Sequence, residues 1–201
     1  MASEEDPTVA AAAGGEEDEL QTPGYKAPAK KSLDEIQKLD QDDESLVKYK
    51  KMLLGEAANA EMLDEGGSNV IVKSITLVVA DRDDITLDLT GDTSQLKSSP
   101  FTVKEGCSYR LRITFRVQRE IVTGLVYSHA TYRKGIKVDT EGFMLGSYGP
   151  RKEVHTYMTP VDEAPSGLIA RGKYVMKSKF CDDDKHVYLA WEWGLDIKKD
   201  W

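Results

Sequence analysis

Between residues 108 and 118 the chain alternates without a break. Tyr109, Leu111, Ile113, Phe115 and Val117 fall on one side, and Arg110, Arg112, Thr114, Arg116 and Gln118 on the other. A period of two predicts a half-buried antiparallel strand with the first set inward and the second in water. The stretch VYLAWEWGLDI repeats the pattern and predicts Val187, Leu189, Trp191, Trp193, Leu195 and Ile197 inward. NVIVKSITLVVA, ITLDLT, EVHTYMTPV and KYVMKSKF read as further strands, and turn signals at TGD, KEG, YGP, APSG and DDDK separate them. Many strands, little helix and frequent turns predict an all-β sandwich of about 130 residues, occupying 67–201.

Before residue 67 the pattern is of another kind. Ser32 and Glu35 in SLDE form a capping box, and Leu33, Ile36 and Leu39 follow as one apolar stripe. A second short helix begins at the acids Asp42, Asp43 and Glu44. It carries Leu46, Tyr49 and Leu53 on one side, has Lys48, Lys50 and Lys51 toward its far end, and stops at Gly55. Each helix is shorter than the ~12–15 residues that an isolated helix needs for marginal stability. A helical hairpin over about 33–54 therefore needs a surface to fold against, either its own sandwich or a partner.

Charge sharpens the division. The chain has 201 residues and a formal net charge of -8. Residues 1–66 hold 17 Asp and Glu against 7 Lys and Arg, whereas 67–201 hold 18 against 20. An acidic appendage thus precedes a nearly neutral body. The first thirty or so residues, with acidic clusters and an Ala/Gly run, predict an unfolded segment, either a charged arm for a basic partner or a solubilising tail. No run of apolar residues is long enough to span a bilayer, and the first residues are acidic where a signal peptide is basic and then apolar. Cys107 and Cys181 lie far apart without metal-ligand spacing. These features predict a cytosolic protein with reduced, packed thiols.

Catalytic chemistry is not evident. His129, His155 and His186 belong to no triad or zinc motif, and GSYGPR lacks the Lys-Ser/Thr ending of a P-loop. Asp182, Asp183 and Asp184 lack EF-hand spacing and read as a solvated turn. The Arg-rich outer face of 108–118 reads as solvated surface. The residues thus favour a binding module, with no enzyme activity, cofactor, metal or nucleic-acid partner expected.

Several stretches in this order resemble one family: LDQDDESLVKYKKMLLG, LDLTGD, FRVQREIVTGL, TYRKGIKVD, MLGSYGPR, TPVDEAP, DDDK and WEWGLDIKKDW. From about residue 25 to the end, the chain resembles the Rho guanine-nucleotide dissociation inhibitors. The resemblance implies an immunoglobulin-like sandwich behind a flexible arm. It implies binding of geranylgeranylated Rho-family GTPases in their GDP form, slowed GDP release and extraction from membranes. A 1:1 complex of a monomeric, cytosolic inhibitor, with only transient membrane-surface encounters, is then expected. By resemblance, Asp43, Ser45 and Tyr49 face the GTPase switches, and Asp139 and Asp184 the GTPase-facing rim. Leu77, Phe101, Ile121, Met176 and Trp193 match the isoprenoid slot, with Leu87 and Ile169 as further candidates. All of these apolar residues equally suit an ordinary core. Rival functions are a general prenyl-protein carrier without switch recognition, and a structural adaptor with no affinity for isoprenoid.

Overall fold

The computed structural model describes residues 43–54, 66–80 and 82–201. Helix α1 (Glu44–Leu54) precedes ten strands: β1 (Val70–Val79), β2 (Ile85–Asp88), β3 (Phe101–Lys104), β4 (Ser108–Val117), β5 (Val122–Arg133), β6 (Ile136–Tyr148), β7 (His155–Met158), β8 (Asp162–Glu163), β9 (Gly172–Cys181) and β10 (Val187–Lys198). They form two sheets. One runs β2-β1-β4-β7 with β8 also on β4, and the other runs β3-β10-β9-β5-β6. Among the described residues only β3 on β10 is parallel. The inner faces close on one core that includes Ile75, Leu77, Ile113, Phe115, Leu125, Tyr127, Phe180 and Trp193. The expected immunoglobulin-like β-sandwich is therefore the observed fold. The second predicted helix is α1, and the first, over 33–39, lies outside the described residues.

Strand β4 follows its alternation: Leu111, Ile113, Phe115 and Val117 are buried. Gln118 breaks the prediction, because it is 2 % exposed rather than solvated. Its amide has a structural use, donating from Nε2 to the carbonyls of Ser68 at 2.6 Å and Gly66 at 3.0 Å. Those bonds tie the chain just ahead of β1 to the end of β4 and compensate the burial. Val187 also departs from expectation, since it is 44 % exposed. A register irregularity between Val187 and Leu189 shifts the phase of the first residues of β10.

Bulges explain why part of the sandwich was illegible. Buried apolar positions on β1 are Val70, Val72, Ile75, Leu77 and Val79, and the extra step falls where the β1–β4 register shifts between Val72 and Ser74. Strands β5 and β6 were not predicted as a pair, nor was β3. On β5 the buried run is Val122, Leu125, Tyr127 and His129, again with a three-residue step. Gly124 sits in that step at φ +55, and a Cβ there would lie 2.7 Å from the Asp183 side chain. β5 turns into β6 through two residues at positive φ, Lys134 at 50 and Gly135 at 82. That is the geometry of a type I′ hairpin, whose twist matches its strands.

Candidate functional site

A cavity of about 590 Å³ opens at the end of the sandwich where β4 begins and β5 ends. Met176 and Tyr174 of β9, and Leu195 and Ile197 of β10, form its apolar wall. Thr131 and Arg133 of β5, and Val138 of β6, contribute from the neighbouring strands. Ile169 and Ala170 come from the loop before β9. The wall continues inward. Trp193 pairs with Met176 across the β10–β9 ladder, and Phe101 meets the Trp193 ring edge-on at 5.4 Å. Thr131 Oγ1 donates to Met176 Sδ at 3.3 Å, which fixes an otherwise adaptable side chain.

Carboxylates are clustered in the lining, where Asp139 and Asp162 lie close enough to Glu141 to repel it. Asp139, Glu141, Asp162 and Glu163 all line the cavity, and among the described residues Arg133 is the single lining Lys or Arg. Arg133 is already committed, with Nη2 donating to the Arg171 carbonyl at 2.7 Å and its guanidinium over the Tyr174 ring. Tyr109 donates its hydroxyl to Asp162. Burial and that carboxylate raise the phenol far above its ordinary range, so Tyr109 stays protonated. His129 is only 5 % exposed, and burial holds its pKa down to about 4. Its Nε2 lies 3.4 Å from Glu141 Oε2. With a neutral ring this is a weak N–H to carboxylate contact rather than an ion pair. Burial raises Glu141 as well, with Asp162 and Asp139 adding repulsion.

The loop forming the outer lip is held from below. Glu105 accepts from Arg171 Nε at 2.8 Å and Nη2 at 2.5 Å, and from Gly167 N at 2.9 Å. This bidentate pair keeps the Glu105 carboxyl down at about 2.

Of the residues expected around an isoprenoid slot, Met176 and Ile169 line the cavity. Leu77, Phe101 and Trp193 are buried at 1–2 % exposure in the core and do not line it. Leu87 is half-buried on β2. Ile121, also half-buried, lies between β4 and β5 at the opposite end of the strands. The expected rim residues separate in the same way. Asp139 is at the mouth, whereas Asp184 is in the β9–β10 turn, beside Asp183, whose carboxylate accepts from Thr123 Oγ1 at 3.0 Å. That triple-Asp segment is a turn, as expected, but it is not solvated throughout: Asp182 is buried and accepts from His186 N at 2.8 Å and from Tyr188 OH at 2.6 Å.

The predicted switch-facing residues share α1. Asp43 is its N-cap, with Oδ1 accepting from Ser45 N at 2.9 Å and Leu46 N at 3.2 Å. Ser45 is exposed, and the apolar side of the helix is too, Leu46 at 40 %, Tyr49 at 45 % and Met52 at 76 %. Sequence reasoning missed His129, Glu141, Asp162 and Arg133 as lining residues. The in-phase position of His129 behind Tyr127 was a usable signal, but the bulge at Gly124 hid it.

Comparison with known proteins completes the description. A family model described as RHO protein GDP dissociation inhibitor matches residues 10–200. The chain is 53 % identical over 191 residues to Rho GDP-dissociation inhibitor 1 of Homo sapiens, covering 94 % of this chain and 92 % of the relative. It is 50 % identical over 180 residues to Rho GDP-dissociation inhibitor 3 of Bos taurus, covering 89 % and 79 %. Among solved structures, a Niemann-Pick type C2 protein from Japanese carpenter ant aligns over 69 % of this chain at 10 % identity, with a TM-score of 0.40. That last likeness carries no functional argument.

Proposed function

The chain belongs to the Rho GDP-dissociation inhibitor family, and from that premise we propose that it divides its inhibitory work between two parts, a switch-binding arm and a lipid-holding sandwich. Its function is inhibition of GDP dissociation from Rho-family GTPases, and its role is regulatory. The partner is a geranylgeranylated GTPase in its GDP form, bound one to one, withdrawn from the membrane and kept in the cytosol. No described helix is long and apolar enough to cross a membrane.

The observation that carries this reading is the cavity, apolar along β9 and β10 and with carboxylates clustered in its lining. Burying a tail of about 20 carbons, at ~0.8 kcal/mol per CH₂, gives on the order of 10–16 kcal/mol. A bilayer returns nearly as much, so the lipid site alone extracts poorly and protein contacts must tip the balance. The mouth carboxylates Asp139, Glu141, Asp162 and Glu163 suit a basic polypeptide segment next to the lipid.

The arm supplies the other contacts. Residues 1–66 form it, and Asp43, Ser45 and Tyr49 on α1 bind the GTPase switch loops. Exposure of Leu46, Tyr49 and Met52 supports a helix face that is completed by a partner. Ordered switch loops slow nucleotide release and exclude exchange factors without chemistry. Asp184 and Asp139 both touch the GTPase if it lies along the β9–β5–β6 side of the sandwich. Leu77, Phe101 and Trp193 form the deeper lining that a tail reaches by displacing side chains beyond Met176, and Ile121 closes the far end of that path.

The test is labelled-GDP release from a geranylgeranylated Rho-family GTPase, run beside binding of a geranylgeranyl-cysteine peptide. Removal of residues 1–66 should abolish the first activity and spare the second. Loss of neither, or inhibition without any affinity for the peptide, would sink the division of labour.

A further inference from the structure

Two chain tips frame the cavity mouth, and both present large aliphatic side chains to water. On the β5–β6 hairpin Ile136 is 70 % exposed, and in the loop before β9 Leu168 is 82 % exposed. Neither lines the cavity, although their near neighbours Val138 and Ile169 do. The tips are tied together by the bond from Arg133 to the Arg171 carbonyl, and Glu105 fixes the loop from beneath. Scattered exposed aliphatics are ordinary, but here they gather on two braced tips beside the opening of a largely apolar cavity.

Charge is sorted around the same opening. The carboxylates Asp139, Glu141, Asp162 and Glu163 are part of the cavity lining. At the hairpin tip the charges are Lys134 and Lys137, both exposed and outside the lining. The outermost groups at the hairpin are thus aliphatic and cationic. That pairing suits the boundary between acyl chains and anionic headgroups.

We propose that this lip is a membrane-docking surface. Ile136 and Leu168 enter the headgroup–acyl boundary, and Lys134 and Lys137 lie against anionic headgroups, so that the isoprenoid passes from bilayer to cavity along continuous hydrocarbon. The inference rests on the isoprenoid reading of the cavity. Its physical reason is the barrier: a tail crossing open water exposes its whole apolar surface midway, and a lip seated in the interface removes that exposure.

The test uses the full chain, Ile136→Ser/Leu168→Ser, Lys134→Glu/Lys137→Glu, and Met144→Ser as an exposed apolar control elsewhere on β6. Three quantities are measured. They are affinity for a geranylgeranyl-cysteine peptide in solution, cosedimentation with phosphatidylcholine vesicles with and without phosphatidylserine, and the rate at which a geranylgeranylated, GDP-loaded Rho-family GTPase leaves those vesicles. The aliphatic double variant should keep its peptide affinity while vesicle binding and transfer rate fall about tenfold or more. The charge-reversed variant should lose only the phosphatidylserine-dependent part, and Met144→Ser should match wild type. Unchanged vesicle binding and transfer in the aliphatic variant, with peptide affinity intact, overturns the proposal. So does a loss confined to binding of unprenylated GTPase, which would make the lip a protein contact. If wild type itself fails to bind the peptide, the isoprenoid reading falls first and this inference with it.

Discussion

Trp193 donates from its indole Nε1 to Ser178 Oγ at 2.8 Å, and the same hydroxyl lies 3.1 Å from Tyr127 OH. One serine thus satisfies two buried aromatic side chains directly behind the cavity wall. Ser178→Ala should destabilise the fold by ~1–3 kcal/mol, because it strands two buried polar groups. Urea denaturation measures it, and a change below a few tenths of a kcal/mol would show that the two rings find other partners.

Trp193 is the direct cross-strand partner of Met176, so a tail that reaches past Met176 must alter the indole surroundings. In a chain carrying Trp191→Phe and Trp201→Phe, emission from Trp193 should change with a geranylgeranylated peptide and not with the unprenylated one. Trp193→Ala costs ~3–5 kcal/mol of stability by itself, so Trp193→Phe is the cleaner affinity probe. A folded Trp193→Ala chain that binds the peptide as tightly as wild type would make this residue plain core.

Asp43 has a structural duty as well as a proposed recognition role, and the two are separable. Asparagine caps helices about as well as aspartate, whereas alanine loses ~1 kcal/mol of capping. Asp43→Asn should therefore preserve α1 and peptide affinity yet weaken inhibition of GDP release. Asp43→Ala should lose helix content as well. Circular dichroism and GDP-release rates together decide it, and full inhibition by Asp43→Asn would remove its charge from the recognition argument.

Acid should destabilise the sandwich through two histidines. His129 and His155 are both held down at about 4 by burial, against an ordinary value of 6.5. Between those values the unfolded chain binds more protons than the folded one. Stability is full above pH 6.5 and falls as pH drops toward 4, by at most about 3 kcal/mol per histidine. Glu105, lowered to about 2, acts in the same direction but only below about pH 4.5. The pH 6.5–4.5 window therefore excludes Glu105, while Glu141, raised by burial, opposes the histidines there, so the histidine part is read from the difference between wild type and variant. His129→Gln should flatten part of that slope in denaturant titrations at pH 7 and pH 5, and an unchanged slope would contradict the assignment.

Glu105→Gln should loosen the outer lip without touching the cavity wall, since it weakens the bonds to Arg171 and Gly167. Faster amide exchange confined to 164–171 and quicker release of a geranylgeranyl peptide are the expected results. Uniform exchange across the chain would mean that the pair supports the whole fold.

Local chemistry was enough to read the regular strands, the turns and the cap. Alternation over 108–117 depends only on side chains one residue apart, and Asp43 caps the backbone two and three residues ahead of it. The family resemblance named residues but not their neighbours in space. Tertiary structure decided whatever depends on a phase shift or on distant pairing. The bulge at Gly124 moved His129 onto the inner face, and the β5–β6 hairpin brought Val138 and Glu141 to a mouth shared with Tyr109 and Asp162. It also parted Asp139 from Asp184 and Ile121 from Met176. A strand conveys direction along its whole length, so residues that a motif places together can fold to opposite ends of one sheet.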